Sequence, residues 1–222
     1  MKVDFAAREL TIKLVYYGPA LSGKTTNLRA IHWLATPKTC GELMTLETQN
    51  DRTLFFDLLP VTVNSDTGLK VRVKLFTVPG QVMHNATRRL VLQGADGVVF
   101  VADSRISEAE ANRTSFTSLQ ENLHDAGIDP SKLPIVIQFN KRDLDNIRSD
   151  EELEALSLRS KEPIYKAVAT RGFGVMHTFR GLVRRTWYKL EQEHGLEEKF
   201  AIAPLQFLSE IESKLRHDPT MR

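Results

Sequence analysis

Cysteine is nearly absent: Cys40 is the only one in 222 residues. A lone thiol excludes an internal disulfide and a cysteine-rich zinc site, and it fits a reduced cytoplasmic setting. Long apolar runs are missing too. No stretch approaches the roughly 18 apolar residues that a membrane span needs. The opening MKVDFAAREL has acids where a secretory leader would be apolar. Lys2 stands where myristoylation requires glycine, and the closing DPTMR has no prenylation cysteine. Membrane contact is therefore expected only through partners or a folded surface. Charge of one sign is also lacking. The chain has 30 Lys and Arg against 28 Asp and Glu, which makes no electrostatic case for nucleic acid. HExxH, GxSxG and HRD patterns do not occur, nor do internal repeats.

What is present is an alternation. Apolar stretches at 9–17, 55–63, 71–77, 97–102, 135–140 and 164–167 read as strands. Several are apolar at nearly every position, as in parallel strands covered on both faces. Between them, 24–35, 87–93, 109–126, 150–156 and 175–194 read as helices. The pattern predicts a three-layer α/β domain with a mostly parallel six-stranded sheet. The link Asn64-Ser65-Asp66-Thr67-Gly68 is too short for a helical crossover, so one strand is expected to be antiparallel. The domain is expected to span 1–195, with 196–222 as a C-terminal extension. A helix is expected over 204–217. Its Leu205, Leu208, Ile211 and Leu215 share one face, ready to pack on the domain or on a partner.

Residues 18–25, GPALSGKT, match GxxxxGK[ST] between a strand and a helix. Backbone N–H groups of such a loop surround phosphates, aided by the helix N-terminus. Gly18, Ala20, Ser22, Gly23, Lys24, Thr25 and Thr26 are the candidate nucleotide contacts. Lys24 would reach the β- and γ-phosphates, and the Thr25 hydroxyl would bind Mg²⁺. Ala20 puts a methyl group where some related loops have glycine, which is expected to slow hydrolysis and spare binding. A bare glycine turn is the structural alternative.

Residues 140–143 read NKRD at the end of an apolar strand. A carboxylate at Asp143 can accept two hydrogen bonds from guanine N1–H and its 2-amino group, and adenine offers no such pair. Asn140 would brace the loop and the Lys141 stem would lie along the base. A strand-to-helix turn with an Asp cap is the alternative reading. A backbone N–H after the last strand, that of Ala169, is expected to meet the guanine O6.

Residues 77–81 read TVPGQ. Gly80 would sense the γ-phosphate through its N–H, and Gln81 would orient the attacking water; a type II turn is the alternative. The pairs Arg88-Arg89 and Arg184-Arg185 read as solvated faces, and His84 as a solvated histidine of the segment after Gln81.

The order of phosphate loop, switch glutamine and NKxD resembles Ras-like small GTPases with the P-loop NTPase fold. The stretches YYGPALSGKTTNL, DRTLFFD, FTVPGQV and GVVFVADS are similar to the MglA family of bacterial gliding-motility GTPases, over roughly 8–192. The resemblance implies GTP and GDP as substrate and product, Mg²⁺ as cofactor, and slow turnover without an activator. That activator would be a roadblock-type MglB-like homodimer docking on the switches, with effector proteins reading the GTP state. It implies a role in cell polarity or motility, with recruitment to a pole or membrane through partners. It makes Thr53 a second Mg²⁺ ligand and Arg52 an arginine finger from the same chain, worth on the order of 10³–10⁵ in rate; an exposed loop arginine is the alternative. Thr77 stands where Ras-like proteins usually have aspartate, and the resemblance implies that threonine at this position is a trait of the family. A hydroxyl there brings no negative charge, so weaker Mg²⁺ retention is expected. A GTP-loaded scaffold with negligible turnover, and a P-loop ATPase or kinase, are the rival readings.

Overall fold

Strand β2 (Glu9–Tyr17) runs through the middle of the molecule, and its side chains divide the core in two. Leu10, Ile12, Leu14 and Tyr16 face one layer, while Val15 and Tyr17 face the other. This is the two-residue period of a strand buried on both faces. In the computed structural model, residues 1–36, 39–46, 56–80, 85–201 and 203–215 are described. Parallel to β2 lie β5 (Lys70–Thr77) on one side and β6 (Gly97–Asp103) on the other. Beyond β6 come β7 (Ile135–Asn140) and β8 (Ile164–Lys166), also parallel.

β4 (Phe56–Asn64) pairs antiparallel with β5 through a tight link in which Gly68 takes φ 82°, as the short spacing predicts. Two short strands add to the six expected. β1 (Lys2–Asp4) pairs with the start of β2, and β3 (Met44–Leu46) with the start of β4, both antiparallel. Among the described residues the sheet therefore has eight strands, in the order β3-β4-β5-β2-β6-β7-β8 with β1 beside β2. The fold class is the expected one, an α/β domain with a mostly parallel sheet.

Helices α1 (Lys24–Leu34) and α5 (Val175–His194) cover one face, where Leu28, Ile31, Phe179, Leu182 and Trp187 are buried. Helices α2 (Asn85–Leu92), α3 (Ala109–Asp125) and α4 (Asp150–Arg159) contribute Leu92, Leu119, Leu123 and Leu153 to the core on the other face. Ser149 and Glu152 close a reciprocal capping box that starts α4.

Past Gly195 the chain forms α6 (Leu196–Phe200) and α7 (Pro204–Leu215). Leu196, Phe200, Phe207 and Ile211 join the core cluster beneath α5. Phe207 stacks on Trp187 with ring centroids 3.7 Å apart, and both are fully buried. Glu210 of α7 accepts from Ser65 at the tip of the β4–β5 hairpin.

Candidate functional site

Sheet order reverses at β2, because α1 leads away from it while β5 and β6 flank it on opposite sides. In open α/β sheets the crevice at the carboxyl end of such a strand is where ligands bind. Here that crevice holds the loop between β2 and α1. A cleft of about 490 Å³ is lined there by Gly23, Lys24, Thr25, Asp57, Thr77 and Gly80.

Gly23 takes φ 99°, and a Cβ on it would lie 2.2 Å from Asn140 Nδ2. Glycine is thus required twice, for the turn and for the approach of β7. Asn140 uses that closeness. Its Nδ2 donates to Ser22 O at 2.9 Å, and its Oδ1 accepts the Ala169 N–H at 2.9 Å. One buried amide ties the glycine loop to the loop after β8. The Ala169 N–H, expected to face a base, is therefore committed to Asn140. Below it, Gln138 Nε2 donates to Asn27 Oδ1 and Thr178 Oγ1, both at 2.9 Å, locking α1 and α5 to β7.

Lys24 folds back over its own loop, and its ammonium donates to Gly18 O at 3.0 Å and Pro19 O at 2.7 Å. Burial pushes its pKa down to about 8; Arg88 adds to the depression and Asp57 works against it. Gly80 leans on the same loop, where a Cβ would fall 2.4 Å from Ala20 Cα. Only glycine permits this contact between the end of β5 and the loop that joins β2 to α1.

Lys141 adopts φ 67°, in the left-handed region unusual for a side-chain-bearing residue. Its ammonium donates to Asp103 Oδ2 at 2.6 Å. Asp103, at the end of β6, also receives Arg105 in bidentate fashion, with Nε on Oδ1 at 3.1 Å and Nη2 on Oδ2 at 2.7 Å. Burial pushes the Asp103 carboxyl up, but the bonds from Arg105 and Lys141 outweigh it and hold its pKa below the usual range. Asp143 has Arg171 Nη2 at 3.9 Å.

Thr25 Oγ1 donates to Asp57 Oδ2 at 2.6 Å, and Thr77 Oγ1 donates to the same oxygen at 2.8 Å. Thr45 Oγ1 donates to Oδ1 at 3.0 Å, and the Asp57 N–H reaches Thr77 Oγ1 at 2.9 Å. Asp57 was not among the sequence candidates; nor were Asp103 and Arg105. The first depends on the register of three strands, which local pattern does not report. Asp103 ends an apolar strand as NKxD does, and that is the signal that marks it.

Gln81, Arg52, Thr53 and His84 lie outside the described residues. One expectation is corrected. Arg88 was read as part of a solvated face, yet it is buried. Its guanidinium carbon stands 5.9 Å from the Tyr17 ring centroid, and Nη1 reaches the Tyr17 hydroxyl at 3.4 Å. The reason is helix geometry. Arg88 shares the inward face of α2 with Val91 and Leu92, while Arg89 points outward to Asp125.

No family model matches the chain. It is 46% identical over 190 residues to the mutual gliding-motility protein MglA of Myxococcus xanthus strain DK1622. That match covers 86% of this chain and 97% of that protein. At this identity and coverage the chain belongs to the MglA gliding-motility protein family.

Proposed function

We propose that this chain is a GTP/GDP switch that hydrolyses GTP to GDP and phosphate, used in cell polarity or motility. The observation that carries this reading is the Asn140 bridge, which joins a glycine loop built for phosphates to the NKxD loop built for a purine. Phosphate oxygens would take the place of the Gly18 and Pro19 carbonyls at the Lys24 ammonium, and Asp143 would read the guanine edge. Gly80, resting on Ala20, would report the γ-phosphate to the segment that follows. Gln81 would orient water, and Arg52 would neutralise charge developing on the γ-oxygens.

Mg²⁺ fits the donors present. The Thr25 hydroxyl and the Asp57 carboxylate are hard oxygen groups side by side, the type this ion prefers. Bound with nucleotide, with Thr25 and Thr53 as protein ligands, it would neutralise charge between the β- and γ-phosphates. Among the described residues no helix is long and apolar enough to cross a membrane. A cytoplasmic protein, recruited through partners, fits this reading. So does an MglB-like homodimer acting on the switches. The boundary between a nucleotide domain of 1–195 and an extension from 196 belongs to the same proposal.

The test is competition against fluorescent GDP, followed by single-turnover phosphate release with and without a roadblock-type activator. GDP and GTP should displace the probe and ADP and ATP should not, and the activator should speed release. Equal competition by adenine nucleotides sinks the base assignment. Release no faster than uncatalysed hydrolysis in both conditions leaves a scaffold. The presence of Ala20 in the lining of the cleft is what favours that second reading, since its methyl group is the one expected to slow hydrolysis.

A further inference from the structure

Asp57 is a buried carboxylate with an unusual set of partners. Three threonine hydroxyls and no ion-paired cation surround it among the described residues. Hydroxyl donors offset only part of the cost of burying a carboxylate, and Lys24 acts on Asp57 through space without bonding to it. The lysine nearest in the site, Lys24, spends its ammonium on two carbonyls. The hydroxyl expected to bind a cation, that of Thr25, is the group Asp57 already holds at 2.6 Å, and Thr77 holds the same carboxylate oxygen at 2.8 Å.

The sheet explains how the carboxylate comes to be there. β4 and β5 pair with Leu58 opposite Phe76, which sets Asp57 directly across from Thr77. β3 adds Thr45 opposite Asp57 from the other side. Thr77 is the position where a charged side chain was expected and found wanting.

We propose that Asp57 supplies from the neighbouring strand the negative charge that Thr77 lacks, and that it is the carboxylate of the Mg²⁺ shell, holding Thr25 and metal-bound water. This rests on the nucleotide reading above. Thr77 then acts as a positioning residue, its hydroxyl aiming Asp57 Oδ2 towards Thr25. Among the described residues no cluster of three or more histidine, cysteine or carboxylate side chains gathers, so a single carboxylate carries the role.

The experiment measures release of fluorescent GDP as free Mg²⁺ is raised from chelator-buffered zero to millimolar. Asp57→Asn is expected to raise the Mg²⁺ concentration at half-retention at least tenfold, with GDP affinity in chelator changed less than threefold. Asp57→Asn/Thr77→Asp, which returns the charge from the other strand, should recover to within threefold of the unaltered chain. A midpoint unmoved in Asp57→Asn, or no recovery in the double variant, overturns the proposal. Thr77→Asp alone keeps it refutable even if Asp57→Asn does not fold. A shell that already owns its carboxylate gains less than threefold, and tightening of tenfold or more means the shell had none and overturns the proposal. If the unaltered chain fails to hold GDP in chelator and in Mg²⁺ alike, it is the nucleotide reading that falls.

Discussion

Lys24 illustrates how a site side chain can be a burden until its ligand arrives. Its ordinary pKa of 10.5 is depressed to about 8, chiefly by burial. At about 1.4 kcal/mol per unit of pKa, holding the charge in the fold costs a few kcal/mol. The sign follows from proton counting. Below about 8 the ammonium is charged in folded and unfolded chain alike, and the full cost is present. Between about 8 and 10.5 the folded chain has shed a proton that the unfolded chain retains, so stability rises with pH. Lys24→Met should therefore raise the melting temperature of the nucleotide-free protein at pH 7, by the equivalent of about 1 kcal/mol after the two carbonyl bonds are lost. The gain should shrink as pH climbs from 8 to 10.5 in thermal melts, and the variant should no longer retain GDP. On the proposed reading, two carboxylates would do different work around the base. Asp143→Asn should weaken guanine nucleotide by on the order of 10⁴–10⁵, because an acceptor pair becomes a mismatched amide. Asp103→Asn, which loosens Lys141 and Arg105, should weaken it only about tenfold and leave the preference for guanine over xanthine intact. Isothermal titration with GDP and XDP distinguishes the two.

At the scale of elements, α7 is the part whose role is most exposed to test. Phe207 is fully buried against Trp187. Cutting such a ring to alanine costs about 3–5 kcal/mol, and in a chain of this size each kcal/mol lowers the melting temperature by about 2–4 °C. Phe207→Ala should melt roughly 10 °C lower while binding GDP as before. An unchanged melt would mean that α7 is held elsewhere. The expected face of Leu205, Leu208, Ile211 and Leu215 caught Ile211 and the partly buried Leu208 but passed over Phe207, since nothing local says that Trp187 waits beneath it. Strand and helix existence was legible because the core alternates so cleanly, as β2 shows. β1 and β3 were not, being three residues each and defined only by pairing. The glycine loop and NKxD were legible as motifs. Their bridge through Asn140 was anticipated only as a brace, and Asp57 not at all. Motifs record chemistry along the chain, whereas Asp57 owes its place to contacts across strands.

For the whole molecule, ligand linkage offers the broadest check. A ligand at a thousandfold its dissociation constant adds about 4 kcal/mol to stability, or roughly 8–16 °C for a chain this long. GDP with Mg²⁺ should shift the melt by that amount in scanning fluorimetry, and ADP with Mg²⁺ should leave it in place. The formal charge of +2 predicts no more than weak attraction to anionic vesicles, so co-sedimentation should stay low unless a partner is added.

The Asn140 amide has a further implication. Because one side chain grips both Ser22 and Ala169, ordering either loop pre-orders the other, and two halves of a nucleotide should help each other in. Guanosine, too small to touch the phosphate loop, should make pyrophosphate bind more tightly, and the reverse by the same factor. Replacing that amide with alanine should make the two fragments indifferent to one another.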